Sequence, residues 1–255
     1  MTSLVTEKVE LSTSSLDAME SLHFKGTFKG CTREIHVFVI TNRDTLPAVK
    51  ETIHTWTRIL EARTEVSKRH HLADKRDERK EVAFTCDDSK AKEYRALTDE
   101  IVEFIEEEDP LQGRLVACTS LHAGEHIIQA LAIGRILVHK EKEKFNVRVL
   151  VTAPWNLRMN GRNDPDYEPY VCRGTGTLMI GFLYQAAKRL EKKEFFLTST
   201  ENAEEFYRTH LGMRESGPDD FSGLRDFSYF VNQETEELVQ ALIRKYFVLA
   251  PAKAT

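Results

Sequence analysis

The 255-residue chain is short of the features that mark several protein classes. Its four cysteines, Cys31, Cys86, Cys118 and Cys172, lie far apart and form no C-x-x-C pair. That excludes a dense disulfide framework and a paired-thiolate zinc ribbon, and points to free thiols in a reduced, cytoplasmic setting. No apolar run reaches the roughly 18 to 20 residues needed to span a bilayer. The N-terminus lacks a basic stretch followed by an apolar one, so neither a membrane nor a secretory route is expected. Positive charge is not in excess: 36 Lys and Arg face 41 Asp and Glu, for a net charge of -5. A general nucleic-acid binder is therefore not expected. The one basic-looking run, KRHHLADKRDERK at 68–80, mixes both signs and has no aromatic for stacking, so it reads as a solvated helix or loop.

What the chain does contain is a globular composition, with 41% hydrophobic and 30% charged residues. Residues 1–25 are rich in Ser, Thr and Glu and read as a tail. Residues 26–255 read as one domain. The β-branched run at 34–41 predicts a strand. Asp44 then opens a helix, with Leu46, Val49, Ile53, Trp56 and Leu60 on one apolar face. A second amphipathic helix at 94–107 turns Leu97, Ile101, Phe104 and Ile105 inward. Strands are expected at 115–121, 127–138 and 147–153, a helix at 178–190, a short buried strand at 195–198 and a helix at 201–210. A late strand at 228–231 and a C-terminal helix at 235–247 complete the pattern. Strands alternating with helices imply an α/β fold with a mixed sheet and helices on its faces.

The most informative stretch runs from 147 to 212. A strand leads to Arg173-Gly174-Thr175-Gly176-Thr177, and a helix begins at once. A helix N-terminus exposes free N–H groups and partial positive charge, and glycines let that backbone wrap closely around phosphate. The loop is thus a candidate pyrophosphate cradle. It lacks the Lys a P-loop needs after its second Gly, and Met179 stands where a dinucleotide fold would have its third Gly.

The segment resembles motif A of the GNAT acyltransferases, Q/R-x-x-G-x-G/A at a strand-to-helix junction. Gly174 and Gly176 take the small positions, and Met179, Ile180 and Leu183 fall where the family's helix buries apolar residues. Val171 stands where Gln or Arg is usual. Ala203, Phe206 and Tyr207, then Leu211-Gly212-Met213, resemble the family's second element. Thr200 replaces its Asn, with Asn202 two residues late, and Met213 replaces its Phe. The resemblance covers residues 114–231 best. It implies a GNAT-like domain with a central twisted mixed sheet, parted where the cofactor inserts, and a C-terminal helix at 235–247.

Function follows as what the resemblance implies. An N-acetyltransferase would move acetyl from acetyl-CoA to an amine by direct attack. Cofactor contacts fall on Val151, Thr152 and Ala153, on Arg173, Gly174, Thr175, Gly176 and Thr177, and on Asn202. Tyr207 matches the general acid that protonates the leaving thiolate. The acceptor is a small-molecule amine or a protein lysine or N-terminus, and a homodimer is compatible with the family. The strand at 147–153 carries no carboxylate base; Asp219, Asp220 and Asp226 precede the last strand and border the implied acceptor site. The stretch 154–172, with Trp155, Tyr167, Tyr170, Asp164, Asp166 and Glu168, reads either as a lid or acceptor wall or as a surface loop. A CoA-binding module without turnover is the alternative reading. A remoter one is a zinc hydrolase, because His122-Ala123-Gly124-Glu125-His126 is an H-x-x-E-H pattern. Its helix would have to tolerate Gly124, and the surrounding residues read instead as strand, turn, strand.

Overall fold

Four central strands carry apolar side chains at nearly every position, and this decides the architecture. Val116 and Cys118 join one core cluster while Leu115 and Ala117 join another. On the next strand Ala130 and Ala132 face the first cluster, and Leu131 and Ile133 the second. Strands buried on both faces need helices on both faces. The computed structural model describes residues 22–28, 31–73, 88–107, 113–139, 142–157, 165–200, 203–218 and 225–249. Among these, nine strands form one sheet: β1 (Leu22–Phe28), β2 (Cys31–Val39), β3 (Arg114–His122), β4 (Glu125–His139), β5 (Lys142–Thr152), β6 (Glu194–Ser199), β7 (Arg214–Pro218), β8 (Arg225–Phe230) and β9 (Phe247–Leu249). Their order is β7-β8-β6-β5-β4-β3-β2-β1-β9. The helices are α1 (Leu46–Ala73), α2 (Asp88–Glu107), α3 (Thr175–Arg189) and α4 (Gln233–Arg244). Helices α1 and α2 supply one core, and α3 and α4 the other. The expected mixed sheet flanked by helices is the fold observed.

Every adjacent pair is antiparallel except β5 and β6. Those two run parallel and pair only from Phe145 to Val147, opposite Phe195 to Leu197. Beyond that point β5 stays with β4 as far as Thr152, while β6 stays with β8. The sheet is therefore parted in its middle. Phe145 and Phe195 stack at 5.8 Å between ring centroids at the first of the three pairs, two residues before the parting.

Several boundaries differ from expectation. Leu22–Lys25, assigned above to a tail, lie in β1, which pairs along β2 and with β9. Asn42, not Asp44, caps the first helical turn: its side chain accepts from the Asp44 N–H at 2.9 Å. The helix expected at 235–247 stops at Arg244, and Phe247 begins a strand, the aromatic and β-branched end of that segment favouring extension. Strand β7 was not expected; RESGP offers too little apolar alternation to register. The charge run at 68–80 is helical through Ala73, and its remainder lies outside the described residues. Among the described residues no helix is long and apolar enough to cross a membrane.

Phe145→Ala removes the aromatic brace between the paired ends of β5 and β6. The expected loss is about 3–5 kcal/mol of stability, read from urea unfolding. A loss under about 1 kcal/mol would show that the brace is not needed.

Candidate functional site

The parting of β5 from β6 leaves backbone groups on one edge of β5 without a strand to pair with. Alternate residues of a strand direct their N–H and C=O to opposite sides. Ala153 N–H bonds the Gln129 carbonyl at 2.9 Å, toward β4. By alternation Val151 also faces β4, and Thr152 faces the gap. The Thr152 carbonyl confirms this direction by accepting from the Tyr94 hydroxyl of α2 at 2.9 Å. The Thr152 N–H points the same way. Of the three N–H groups expected to meet the cofactor, Ala153's is already taken and Val151's faces the neighbouring strand. Only ladder parity decides this, and it is not legible from the residues of one strand.

The gap opens into a cavity of about 610 Å³. Its lining includes Val149 and Val151 of one core cluster and Val147 and Leu197 of the other, so it passes through the sheet. At one end stands the start of α3. Gly174 caps that helix with φ 81, and a Cβ there would lie 2.6 Å from Tyr246 Cγ. Both the left-handed backbone and the contact require glycine. The first intrahelical bond at this end runs from Leu178 N–H to Gly174 O at 2.9 Å, leaving the N–H groups of Thr175, Gly176 and Thr177 unused by the helix. Thr177 is 3% exposed, lines the cavity, and its Oγ1 has no hydrogen-bond partner. Unbonded N–H groups and a buried orphan hydroxyl at one helix start suit an anionic group.

A polar node holds this helix start in place. The Gln129 side chain donates to Ser120 Oγ at 2.8 Å and accepts from Trp155 Nε1 at 3.0 Å. Asn156 Nδ2 donates to Gln129 Oε1 at 2.9 Å, and Asn156 Oδ1 accepts from the Cys172 N–H at 2.7 Å. Trp155 stacks on Tyr167 and packs against Trp56 of α1. The described part of 154–172 is thus seated on the sheet, and within it Asn156 and Leu157 reach the cavity. Val171, at the position of the family's Gln or Arg, is fully buried, and its carbonyl accepts from Arg33 at 3.0 Å. Burial pushes the neighbouring Cys172 thiol up to about 12, so it stays a thiol at neutral pH.

On the opposite wall the chain makes a wide turn at Phe206–His210, with Leu211 N–H bonding Phe206 O at 3.0 Å. This turn presents Phe206, Tyr207 and His210 to the cavity. Tyr207 is 7% exposed. Burial first, and then the Glu93 carboxylate of α2, hold its phenol well above the usual value near 10. The proton is therefore retained through the neutral range. His210 is lowered by burial and by Lys245, and its Nε2 is hydrogen-bonded with the Tyr246 hydroxyl at 3.1 Å.

Of the residues singled out above, Val151, Thr152, Arg173, Gly174, Thr175, Gly176, Thr177 and Tyr207 border this one cavity. Ala153 does not line it. Asn202, Asp219 and Asp220 lie outside the described residues. Asp226 accepts from Thr198 Oγ1 at 2.7 Å and is not among the lining residues. His122 and Glu125 flank a two-residue turn, with Ala123 and Gly124 both at positive φ. The pattern therefore joins β3 to β4 and does not form the helix that a zinc site would need. Among the described residues no group of three or more His, Cys, Asp or Glu could hold a metal. Sequence reasoning missed Glu93, Asn156 and Leu157 as cavity residues. Nothing local marks them, because the sheet's parting brings them to the cavity.

No protein-family model matches the chain, and no curated protein does so significantly. Solved structures similar to it include a putative arylalkylamine N-acetyltransferase 7 from the yellow fever mosquito, at 13% identity, covering 84% of this chain and 94% of that one, with a TM-score of 0.45. An acetyltransferase of the GNAT family from Listeria monocytogenes is similar at 8% identity over 81% and 99%, with a TM-score of 0.39. AtaTR bound with acetyl-CoA is similar at 13% identity over 57% and 86%, with a TM-score of 0.38.

Asn156→Ala removes the acceptor for the Cys172 N–H and a donor to Gln129. The expected cost is about 1–3 kcal/mol, read from thermal or urea unfolding. A variant as stable as the parent would mean that the node does not hold the helix start.

Proposed function

We propose that this chain is an N-acetyltransferase that transfers acetyl from acetyl-CoA to an amine by direct attack in a ternary complex. One observation carries the reading: a single cavity joins the unused N–H groups at the start of α3, the open edge of β5 at Thr152, and the protonated phenol of Tyr207. Bound acetyl-CoA supplies an activated thioester and, in its pyrophosphate, an anion suited to a helix N-terminus. The N–H groups of Thr175, Gly176 and Thr177 and the Thr177 hydroxyl would hold that anion. The Thr152 N–H would donate to a carbonyl oxygen as negative charge develops on it. Holding both reactants in one cavity replaces an encounter in solution. Tyr207, kept protonated by burial, would donate its proton to the departing sulfur. Arg173, which also borders the cavity, adds positive charge near the anion.

Acetyl-CoA at about a hundred times its dissociation constant stabilises the protein by roughly 2.7 kcal/mol, seen as a raised Tm. A Cβ on Gly176 would meet Thr152 Cγ2 at 3.6 Å and Phe206 Cζ at 3.7 Å, ordinary contacts. Gly176→Ala therefore keeps the Tm rise, whereas Gly176→Leu fills the cavity and loses it. No response from the parent chain would remove the cofactor reading. Tyr207→Phe lowers kcat about 100-fold with acetyl-CoA binding intact. A Tm rise without acetylation of any amine would instead mark a binding module.

A further inference from the structure

The end of the cavity at the start of α3 holds one titratable side chain that acetyl transfer does not use. His210 is the one histidine among the described lining residues, and the wide turn at Phe206–His210 carries it there. Its ring stacks on Phe206 at 5.4 Å between centroids, and Phe206 Cζ lies 3.7 Å from where a Cβ on Gly176 would be. Its Nε2 is hydrogen-bonded with the Tyr246 hydroxyl, and the Tyr246 ring packs against Gly174. The imidazole thus stands one aromatic ring away from both glycines of the loop. The same helix start carries the buried Thr177 hydroxyl, which has no hydrogen-bond partner.

The charges around the imidazole suit an anion. Arg173 borders the same cavity, and Lys245 lies over the Tyr246 ring at 5.7 Å. On the turn itself Arg208 is ion-paired with Glu204 and Glu215, and Tyr207 keeps its proton. The first turn of α3 has no acidic residue. Glu93 of α2 also borders the cavity, near Tyr207. On the α2 side Tyr94 is engaged by the Thr152 carbonyl and Arg148 by Glu100. Burial first, and then Lys245, disfavour the imidazolium. A nearby anion favours it. The Tyr246 hydroxyl suits both states: it can donate to Nε2 of the unprotonated ring and accept from the N–H of the protonated one.

We propose that His210 is a proton-linked ligand for the cofactor's diphosphate: as that anion settles on the N–H groups of Thr175, Gly176 and Thr177, one proton passes from solvent to the imidazole. The inference rests on the acetyl-CoA reading above. The N–H bond formed on the ring is the one covalent change, and the buffer supplies the proton. A group that holds its proton more firmly in the complex than in the free protein strengthens binding as pH falls. Cofactor affinity therefore rises on the acid side of neutrality.

The test uses dephospho-CoA, which keeps the diphosphate but lacks the 3′-phosphate, a monoester that itself titrates near about pH 6. Its dissociation constant is measured by calorimetry at low ionic strength, in two buffers of different ionisation enthalpy. For the parent chain it should fall about fivefold between about pH 8 and about pH 6.5, with net uptake of protons. His210→Gln should show one value across that range and no uptake. Should this variant not fold, Lys245→Gln serves instead. It removes a cation at an exposed position and should move the midpoint of the dependence to higher pH. A pH dependence that survives in His210→Gln overturns the proposal, as does a parent affinity that is flat with pH or a midpoint unmoved in Lys245→Gln. A dependence seen with CoA but not with dephospho-CoA does so too, because the ligand's own phosphate is then the titrating group. If the parent chain binds neither compound at any pH, the acetyl-CoA reading itself fails, an outcome distinct from these.

Discussion

The parting of β5 from β6 is the constraint on which the rest of this structure depends. A sheet interior cannot leave backbone N–H and C=O groups buried without partners. Three pairs into the parallel contact the strands separate, and every group on the open edge of β5 then needs another answer. The Tyr94 hydroxyl answers for one carbonyl. The start of α3 and the wide turn at 206–210 line the opening without closing it. The stacked pair of Phe145 and Phe195 keeps the strands together up to the parting. The cavity is therefore a consequence of sheet geometry, and its lining is whatever two separate cores present at that seam.

How much of this was legible in the sequence depends on how local each feature is. The central strands were legible because they are apolar on both faces and need no partner to be recognised. The loop at Arg173 to Thr177 was legible because Gly174 answers a local demand, a left-handed backbone at a helix start. Strands β7 and β9, at the two edges of the sheet, and β1 beside β9 were not, because strands at the margins draw their stability from pairing rather than from a local pattern. That the Ala153 N–H is bonded within the sheet was not legible for a similar reason. The direction of its N–H depends on pairing parity with β4, which a bulge at Ile133 and Gly134 shifts. Glu93 sits in an ordinary amphipathic helix, and only the opening of the sheet brings it to the cavity.

The two faces of the sheet also divide the chemistry. On the α3 side the cavity offers backbone donors, Arg173 and His210, whose imidazole is held below its usual value by burial and by Lys245. On the α2 side it offers leucines and one carboxylate. The cationic side chains near that end serve ion pairs or carbonyls.

The contact between Gly174 and Tyr246 has a consequence for how the site comes into being. Tyr246 directly precedes β9, and β9 pairs with β1, so the last described strand closes against the first. The helix start at the cavity is therefore unfinished until residues some seventy positions downstream have been made. A nascent chain can assemble β2 to β6 and still lack its completed pocket. Long-range closure of this kind is slow to form and favours all-or-none assembly. The pocket is thus among the last parts of the molecule to appear during synthesis. Losing a few residues around Tyr246 would unpack the helix start at the cavity while leaving most of the sheet's pairing in place.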